Sequence, residues 1–424
     1  MNSVFGLMTD DTYHRSGYLL FTMFLKLDSD RYPLKAYGDI AFRVYGPMAR
    51  HGVNILQSIQ ILFTVGVIIL GNAQGLSQVT KYKVCFSVLS LIWALVGMLI
   101  GQIRTLTKLS YFTNIAIWMN LLVMFITIGV VAHTAPYYDA AIATNGVKMG
   151  PVITTAGMPA GLGFENQVVG LMQAVYSYGG SMLFCEFMSE MRRPWDFWKA
   201  LVCAQALIMT VYLTFGVFVY AFQGQFSINP AGQGISDYAW QTTVNVISMT
   251  ATLIAGGLYG NIGIKVIYQN LIKDALKGPD LTEKKGKIIW AIMAPIYWSL
   301  SFIIASAIPQ FSNISGLVGA ACILQFTYTF PPLLKLGFDI QVHAMLPEEE
   351  FNPLTGEVVR VDSGSKRWLR GAKKQWWFKL WLLVFSLGSL ATAILGMYSS
   401  ITAIAAAFAH SSVIGFGCKS PFLA

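Results

Sequence analysis

The sequence feature that most constrains the fold is a series of apolar segments, most of them long enough to cross a bilayer. A helix needs about 20 apolar residues to span the hydrocarbon core, and backbone groups there must be paired internally. The chain is therefore predicted to be an all-α polytopic membrane protein. A short apolar segment and nine full spans are predicted at 17–25, 53–75, 84–101, 111–133, 167–190, 197–222, 241–271, 287–308, 312–336 and 376–398.

Composition and charge favour a membrane protein over one that binds nucleic acid. Only 12% of the residues are charged, which is about half of the fraction found in soluble domains. The net charge of +9 could suit a nucleic acid, but the Lys and Arg residues are gathered between the apolar spans. There they indicate membrane orientation. The lipid bilayer is the expected partner, and no nucleic acid is expected.

The distribution of positive charge predicts which loops are cytoplasmic. By the positive-inside rule the basic segments face the cytoplasm, which leaves the carboxyl terminus outside. The basic segments are 26–50, 104–108, 192–199, 273–287 and 335–379. The alternate loops hold only Lys81, Lys83, Lys148 and Lys419.

The same topology makes a prediction about the amino terminus and the long loops. The short segment at 17–25 would enter the membrane from outside, so we expect one helix and the start of the next to precede Met1 in the complete gene product. The outer loop at 134–165, rich in Gly, Pro and Thr, is predicted to form an irregular cap. The inner segment at 341–375 is predicted to be a polar cytoplasmic loop.

The span at 167–190 does not suit a continuous helix. Its middle is a Gly-Gly pair flanked by hydroxyl-bearing side chains, and each Gly costs about 1 kcal/mol in a helix. The carboxylate of Glu186 follows shortly afterwards, and hydrocarbon accepts a carboxylate only where it faces a partner or a water-filled cavity. We therefore predict a helix that breaks around a solute site.

Polar amides follow one face of the first full span. Steps of three and four residues place Asn54, Gln57, Gln60 and Thr64 on that face. Amides in lipid usually meet another helix or water. Two interpretations remain open, namely hydrogen-bonding contacts between helices and the lining of a transport pathway.

Small residues follow one face of the span at 241–271. Ser248, Thr252, Gly256 and Gly260 recur at steps of four, and such a stripe allows a close approach. The approaching group could be another helix or a substrate, and both interpretations remain open.

Beyond this stripe lie Asn261 and Lys265. A lysine in the cytoplasmic half of a span can act as a structural anchor whose ammonium reaches the interface. Glu186 lies at comparable depth on the predicted topology. We therefore hypothesise that Glu186 and Lys265 face each other or share a cavity, and that Glu186 takes part in proton coupling. A proton-coupled carrier needs such an alternately exposed titratable group.

No sequence motif indicates an enzyme of a known type. The sequence shows no Gly-rich phosphate loop before Lys-Ser/Thr, no paired-His metal motif and no Gly-x-Ser-x-Gly elbow. No cofactor or metal is therefore expected.

The cysteines show no spacing typical of a metal site or a disulfide framework and are predicted to pack singly between helices. They are Cys85, Cys185, Cys203, Cys322 and Cys418.

Four stretches resemble the amino acid/auxin permease family. They are YSYGGSMLFCEFMSEMRRPWDFWKAL at 176–201, GLYGNIGIKVIYQN at 257–270, FTYTFPPLLKLGFDI at 326–340 and GMLIGQIRTLTKL at 97–109. Within the family the chain is similar to neutral amino acid permeases of filamentous fungi. The resemblance runs from about Tyr13 to Ala424, and residues 1–424 are interpreted as one transporter domain.

The resemblance implies the leucine-transporter-like fold, in which two inverted repeats of five helices surround a solute site at mid-membrane. A partial first repeat would cover about 13–133, the second about 167–338, and the final helix 376–398. In this alignment the first helix and part of the second are absent, and the second broken helix is unwound at 178–181. The implied substrate-binding residues are Tyr176, Ser177, Tyr178, Gly179, Gly180 and Ser181.

The resemblance also implies secondary active transport of neutral amino acids, coupled to protons, by alternating access around the break at 176–181. The alternative is a non-transporting isoform that senses amino acids or modifies a permease. The fungal resemblance favours the plasma membrane, with the vacuolar membrane as the alternative. The expected pathway and coupling residues are Gln57, Gln60, Glu186, Gly256, Gly260, Asn261 and Lys265.

Overall fold

Helices make up nearly all regular structure in the computed structural model of this chain. It describes residues 16–104, 106–157, 163–308, 310–349, 352, 354, 358–410 and 415–422. These ranges contain no strand, and an isolated bridge pairs Pro136 with Ile235. The all-α prediction is therefore confirmed. Met1 lies outside the described residues, as do Tyr13 and Ala424, the predicted limits of the family resemblance.

The helices vary widely in length because long apolar spans alternate with short amphipathic segments. In chain order they are α1 Ser16–Leu27, α2 Tyr37–Tyr45, α3 Pro47–Val79, α4 Phe86–Ile100, α5 Leu106–Val131, α6 Tyr138–Asn145, α7 Phe164–Ser177, α8 Phe184–Glu190, α9 Phe197–Gln223, α10 Tyr238–Ile267, α11 Lys284–Ala307, α12 Phe311–Val318, α13 Phe330–Ala344, α14 Ser365–Lys373 and α15 Trp376–His410. A 3₁₀ turn joins α7 to α8 at Ser181–Leu183, and π-helical turns occupy Tyr268–Ala275, Gly319–Ile323 and Gln325–Thr329.

Among the described residues, eight helical stretches are long and apolar enough to cross a membrane. This finding confirms a polytopic membrane protein. The full-length span predicted at 84–101 is wrong in length, since α4 has 15 residues and rises only about 22 Å. The helix ends at Gly101, where the indole of Trp298 lies so close that a side chain on Gly101 would collide with it.

Three short helices lie in segments that were predicted to be loops. α2 begins in the basic segment, where the Asp39 carboxylate accepts the backbone N–H groups of Lys35 and Ala36, both at 3.0 Å. α6 lies in the outer cap, and α14 lies in the inner segment. The prediction of irregular structure was therefore wrong for these stretches, because side-chain contacts with neighbouring elements support helices too short to persist alone.

α3 is about half buried and packs against several other helices. These helices are α10, α11, α4, α2 and α12. Beside it, Trp290 and Trp298 are almost completely buried, and the Trp290 indole N–H donates to the carbonyl of Gly101 at 3.0 Å. This packing leaves the other side of α3 to face the region between α7 and α8.

A disulfide joins Cys85 to Cys418, which lie 333 residues apart in the chain. The prediction of single, unpaired cysteines is therefore wrong for this pair, although Cys185, Cys203 and Cys322 are free. Both bonded residues lie in loops that the positive-inside rule places outside, where oxidising conditions allow disulfides. The adjoining backbone is also paired, since Phe86 N–H donates to the Cys418 carbonyl at 3.1 Å.

Candidate functional site

The site is built around an interruption between α7 and α8. α7 ends at Ser177, and a 3₁₀ turn begins at Ser181. Tyr178 N–H still bonds to the Ala174 carbonyl at 3.2 Å, whereas Leu183 N–H bonds to the Gly180 carbonyl at 3.1 Å. The α-helical ladder is therefore broken across the Gly-Gly pair, where the sequence predicted it.

The break leaves backbone groups without partners. Within the described part of the chain, no hydrogen bond is made by the N–H groups of Gly180 and Ser181 or by the carbonyl of Gly179. Free N–H groups at the start of a helix attract anions, and free carbonyls at the end of a helix attract cations. The two half-helices thus present complementary groups for a small zwitterion.

A second irregular helix lies against the break. The Ser181 hydroxyl donates to the Phe326 carbonyl at 3.0 Å and to the Thr327 hydroxyl at 3.1 Å. Both residues belong to the π-helical turns between α12 and α13. A Cβ on Gly179 would lie 2.5 Å from Cγ2 of Ile323 in the same stretch. Wide π turns often mark functional sites, and here one borders the interrupted helix directly.

Aromatic side chains surround the break. The rings of Tyr178 and Tyr212 meet edge to face with centroids 5.7 Å apart. Tyr176 packs in the same apolar cluster as Tyr259 on α10. Ser177, in contrast, is exposed, and its hydroxyl returns to the Gln173 carbonyl of its own helix at 2.9 Å. The predicted residues Tyr176 and Tyr178 therefore lie in an aromatic cluster, and Ser177 lies outside it.

A polar pair lies on the α8 side of the break. Gln57 Nε2 donates to Oε1 of Glu186 at 2.9 Å and to the Met182 carbonyl at 3.4 Å. Gln57 is completely buried, and Glu186 Oε2 makes no hydrogen bond within the described residues. Gln60 lies one turn further along α3, is also buried, and its Oε1 has no partner there. Two predicted residues, Gln57 and Glu186, are thus in direct contact.

Lys265 and Asn261 lie apart from this pair. No hydrogen bond or ion pair joins Lys265 to Glu186 in the described ranges, and Lys265 lies within electrostatic range of Glu190, one turn beyond Glu186 on α8. Asn261 Nδ2 donates to the Ile103 carbonyl after α4. The structure therefore gives Lys265 and Asn261 neighbours other than Glu186.

Gly256 and Gly260 contact a tryptophan. A Cβ on Gly260 would lie 3.1 Å from Cζ2 of Trp298, and one on Gly256 would lie 3.5 Å from Cη2 of the same ring. The Trp298 indole also fills the space beside Gly97 on α4. Of the two interpretations of this small-residue stripe, the arrangement favours close helix packing.

Several residues of the site gave no signal in the sequence. An apolar span contains Ile323, Phe326 and Thr327. The apolar helices α9 and α10 contain Tyr212 and Tyr259, which do not stand out among their neighbours. The one usable signal was the polar sequence Gln325, Thr327, Thr329 inside that span.

As for metals, the described residues contain no group of three or more His, Cys, Asp or Glu side chains that could hold an ion.

The family described as transmembrane amino acid transporter protein matches residues 12–340 of the chain. A transmembrane transporter of Gibberella moniliformis is 27% identical over 309 residues, covering 70% of this chain and 61% of that protein. A transmembrane transporter of Fusarium pseudograminearum is 25% identical over 309 residues, covering 70% and 60%.

A third relative is the N amino acid transport system protein of Neurospora crassa, which is 22% identical over 307 residues, covering 70% of this chain and 62% of that protein. The match to each of the three relatives thus spans about 60% of the relative's length.

Proposed function

The chain belongs to the transmembrane amino acid transporter family, and on that premise we propose that it is a proton-coupled secondary carrier of neutral amino acids. The observation that carries the proposal is the break between α7 and α8, where the backbone N–H groups of Gly180 and Ser181 have no partner in the described part of the chain. Interrupted helices of this kind form substrate sites in secondary transporters.

The two ends at the break suit the backbone of an amino acid. In this proposal the N–H groups that precede α8 bind the substrate carboxylate, and the carbonyls that end α7 bind its ammonium group. Tyr176, Tyr178 and Ile323 provide an aromatic and aliphatic wall around these groups. A charged substrate side chain against this wall would lose its hydration without gaining a partner, so a neutral side chain fits better.

Alternating access requires the broken helix to move relative to its neighbours. Ser181 ties the break to the π-helical stretch through the Phe326 carbonyl and the Thr327 hydroxyl. All three groups in these two bonds are neutral, so breaking the bonds exposes no charge to hydrocarbon. We propose that they hold one arrangement of the site and are replaced when one helix bundle rocks against the other.

Proton coupling is assigned to Glu186. When Glu186 is ionised, its Oε1 accepts from Gln57, whose amide also binds the Met182 carbonyl beside the break. Protonation would neutralise a carboxylate that is otherwise costly at this depth, and would weaken its bond to Gln57. The nearby titratable groups are Tyr37, Asp39 and Cys185. The charge on Glu186 thereby biases the position of the half-helix.

The test is uptake of labelled phenylalanine and leucine by yeast that lacks its own permeases and expresses the full chain. We expect accumulation that rises as the external pH falls. Glu186→Gln is expected to remove the pH dependence, and the matched control Glu190→Gln, on the exposed side of the same helix, is expected to keep it. Microscopy of a tagged chain distinguishes the proposed plasma membrane from the vacuolar membrane.

Two results would contradict the proposal in different ways. Binding of labelled amino acid to the purified protein without accumulation in cells would refute the carrier and support an amino-acid sensor. Accumulation with an unchanged pH dependence in Glu186→Gln would keep the carrier and remove Glu186 from the coupling mechanism.

A further inference from the structure

The short helix α14 is held at the level of the membrane boundary. It packs along the last turn of α13, where a Cβ on Gly371 would collide with the Ile340 carbonyl oxygen. Only Lys374 and Gln375 separate it from α15, and the three Cα–Cα steps from Lys373 to Trp376 reach about 11 Å at most. Since α13 and α15 both belong to apolar spans, α14 lies where their hydrocarbon sections end.

The two arginines of α14 point toward the protein and fix its position. Arg367 forms an ion pair with Glu349, with Nη2 2.9 Å from Oε2. Arg370 pairs with Asp362 at 2.8 Å and donates to the Ala344 carbonyl at 2.7 Å. The Arg367 guanidinium holds the pKa of Glu349 below its usual range. These arginines are therefore engaged and are not available to another molecule.

The end of α14 is fixed as well. The buried ammonium of Lys379 on α15 donates to the carbonyls of Gly371 and Lys374, the latter at 2.6 Å. A cation at this position satisfies carbonyls that a helix leaves free at its carboxyl end. The helix is therefore anchored at both ends, and the face that it turns outward is fixed.

That outward face is cationic with an apolar centre. Lys366, Leu369 and Lys373 follow one another at helical spacing, and all three are exposed. Leu369 is 64% exposed, and Lys374 extends the same charge beyond the helix. None of the three lysines forms an ion pair with a described residue. We call Lys366, Leu369, Lys373 and Lys374 the α14 face.

Exposed tryptophans continue the α14 face toward the membrane. Trp376 and Trp377 begin α15 and are 50% and 70% exposed. Tryptophan is enriched at the membrane–water interface, and a helix with lysines beside apolar residues is typical of segments that lie in that interface. The apolar and cationic groups therefore meet at the depth of lipid headgroups.

We propose that the α14 face binds the headgroups of anionic phospholipids in the leaflet on the basic side of the protein. The three lysines supply positive charge without a protein partner among the described residues, and each lysine near an anionic surface strengthens binding about fivefold. The positive-inside rule places this side in the cytoplasm, whose leaflet carries the anionic lipids. A lipid is favoured over an acidic protein because the face adjoins the ends of two membrane spans.

The test places a photo-crosslinking amino acid at Leu369 in the full chain. The protein is reconstituted in phosphatidylcholine vesicles that contain phosphatidylserine as a minor component, and the crosslinked lipids are identified by mass spectrometry. We expect phosphatidylserine among the adducts at several times its share of the vesicle. The triple variant Lys366→Gln, Lys373→Gln and Lys374→Gln should lower the adducts to the bulk share.

The matched control removes three exposed lysines elsewhere on the same side, at Lys284, Lys285 and Lys287, and should leave the enrichment intact. Gel filtration of each variant checks that it remains folded. Adducts at the bulk share in the unmodified protein, or equal losses in the two triple variants, would overturn the proposal. So would crosslinks to another protein chain in place of lipid. The test does not require transport and is independent of the proposed function.

Discussion

Substituting Gly179 by Ala is expected to destabilise the site through one contact. A Cβ at this position would lie 2.5 Å from Cγ2 and 3.1 Å from Cδ1 of Ile323. The φ of Gly179 lies outside the left-handed region, so the backbone itself accepts alanine. The whole effect should therefore come from the contact between α7 and the π-helical stretch.

The size of the effect follows from the distance. Carbon atoms prefer separations of about 3.5–4.0 Å, so Ile323 or the backbone must retreat by about 1 Å. Ile323 is only 5% exposed, which leaves its side chain little free space. Overpacking of this kind costs about 1–3 kcal/mol. A cost near 2 kcal/mol lowers the ratio of folded to unfolded protein about thirtyfold.

A double-mutant cycle isolates the contact. Stability is measured by titration with sodium dodecyl sulfate in mixed micelles for Gly179→Ala, Ile323→Ala and the double variant. Ile323→Ala alone should cost about 2–5 kcal/mol, but the double variant should be about 1–2 kcal/mol more stable than the sum of the two changes. Gly170→Ala is the control, because no atom lies within 4 Å of a Cβ there, and it should be neutral or stabilising by about 0.5–1 kcal/mol. Additivity within about 0.3 kcal/mol would refute the reasoning.

Further predictions concern three other features. Cys85→Ser should lower the free energy of unfolding by about 2–4 kcal/mol in the same titration, whereas Cys203→Ser, at a free exposed cysteine, should leave it unchanged; equal effects would contradict a structural disulfide. Trp298→Ala should cost about 3–5 kcal/mol through the cavity it leaves, and a loss below 1 kcal/mol would contradict its packing role. Arg367 lowers the pKa of Glu349, so the stability from this pair is present at neutral pH and is lost as the pH falls through that lowered pKa. Hydrogen-exchange protection of α14 should fall accordingly, and Glu349→Gln should lower protection at neutral pH and weaken its pH dependence, the remainder coming from the ion pair of Asp362 with Arg370.

Hydropathy was sufficient for the membrane spans but not for their exact lengths or for the short helices. Apolar composition marks a span because hydrocarbon forces internal pairing of the backbone. The length of α4 depends instead on Trp298, which comes from α11, far along the chain. α14 likewise depends on Glu349 and Asp362, which precede it in the chain. Such tertiary contacts leave no local pattern in the sequence.

The break was predictable because its cause is local. Gly179 and Gly180 weaken the helix wherever it lies, and Glu186 is unusual in any apolar segment. The contact between Glu186 and Gln57 was not predictable. The sequence indicates that each of these residues needs a polar partner, but it does not indicate which residue that partner is. Lys265 was predicted as the neighbour of Glu186 because of its depth and charge, whereas in the structure Glu186 accepts a hydrogen bond from Gln57 on α3. The polar residues Gln325, Thr327 and Thr329 indicate a site but not a π turn, because apolar periodicity does not specify which carbonyl accepts each N–H group.

The bond between Cys85 and Cys418, which lie 333 residues apart, closes most of the 424-residue chain into a single covalent loop. A protease that cuts any loop within it, on either side of the membrane, would leave two fragments that migrate together until a reductant is added. The bond also requires both cysteines to reach the same side, so it can form only after α15 has been inserted. Every oxidised chain has therefore completed the insertion of α15, and the oxidised fraction is a lower bound on the fraction of inserted molecules.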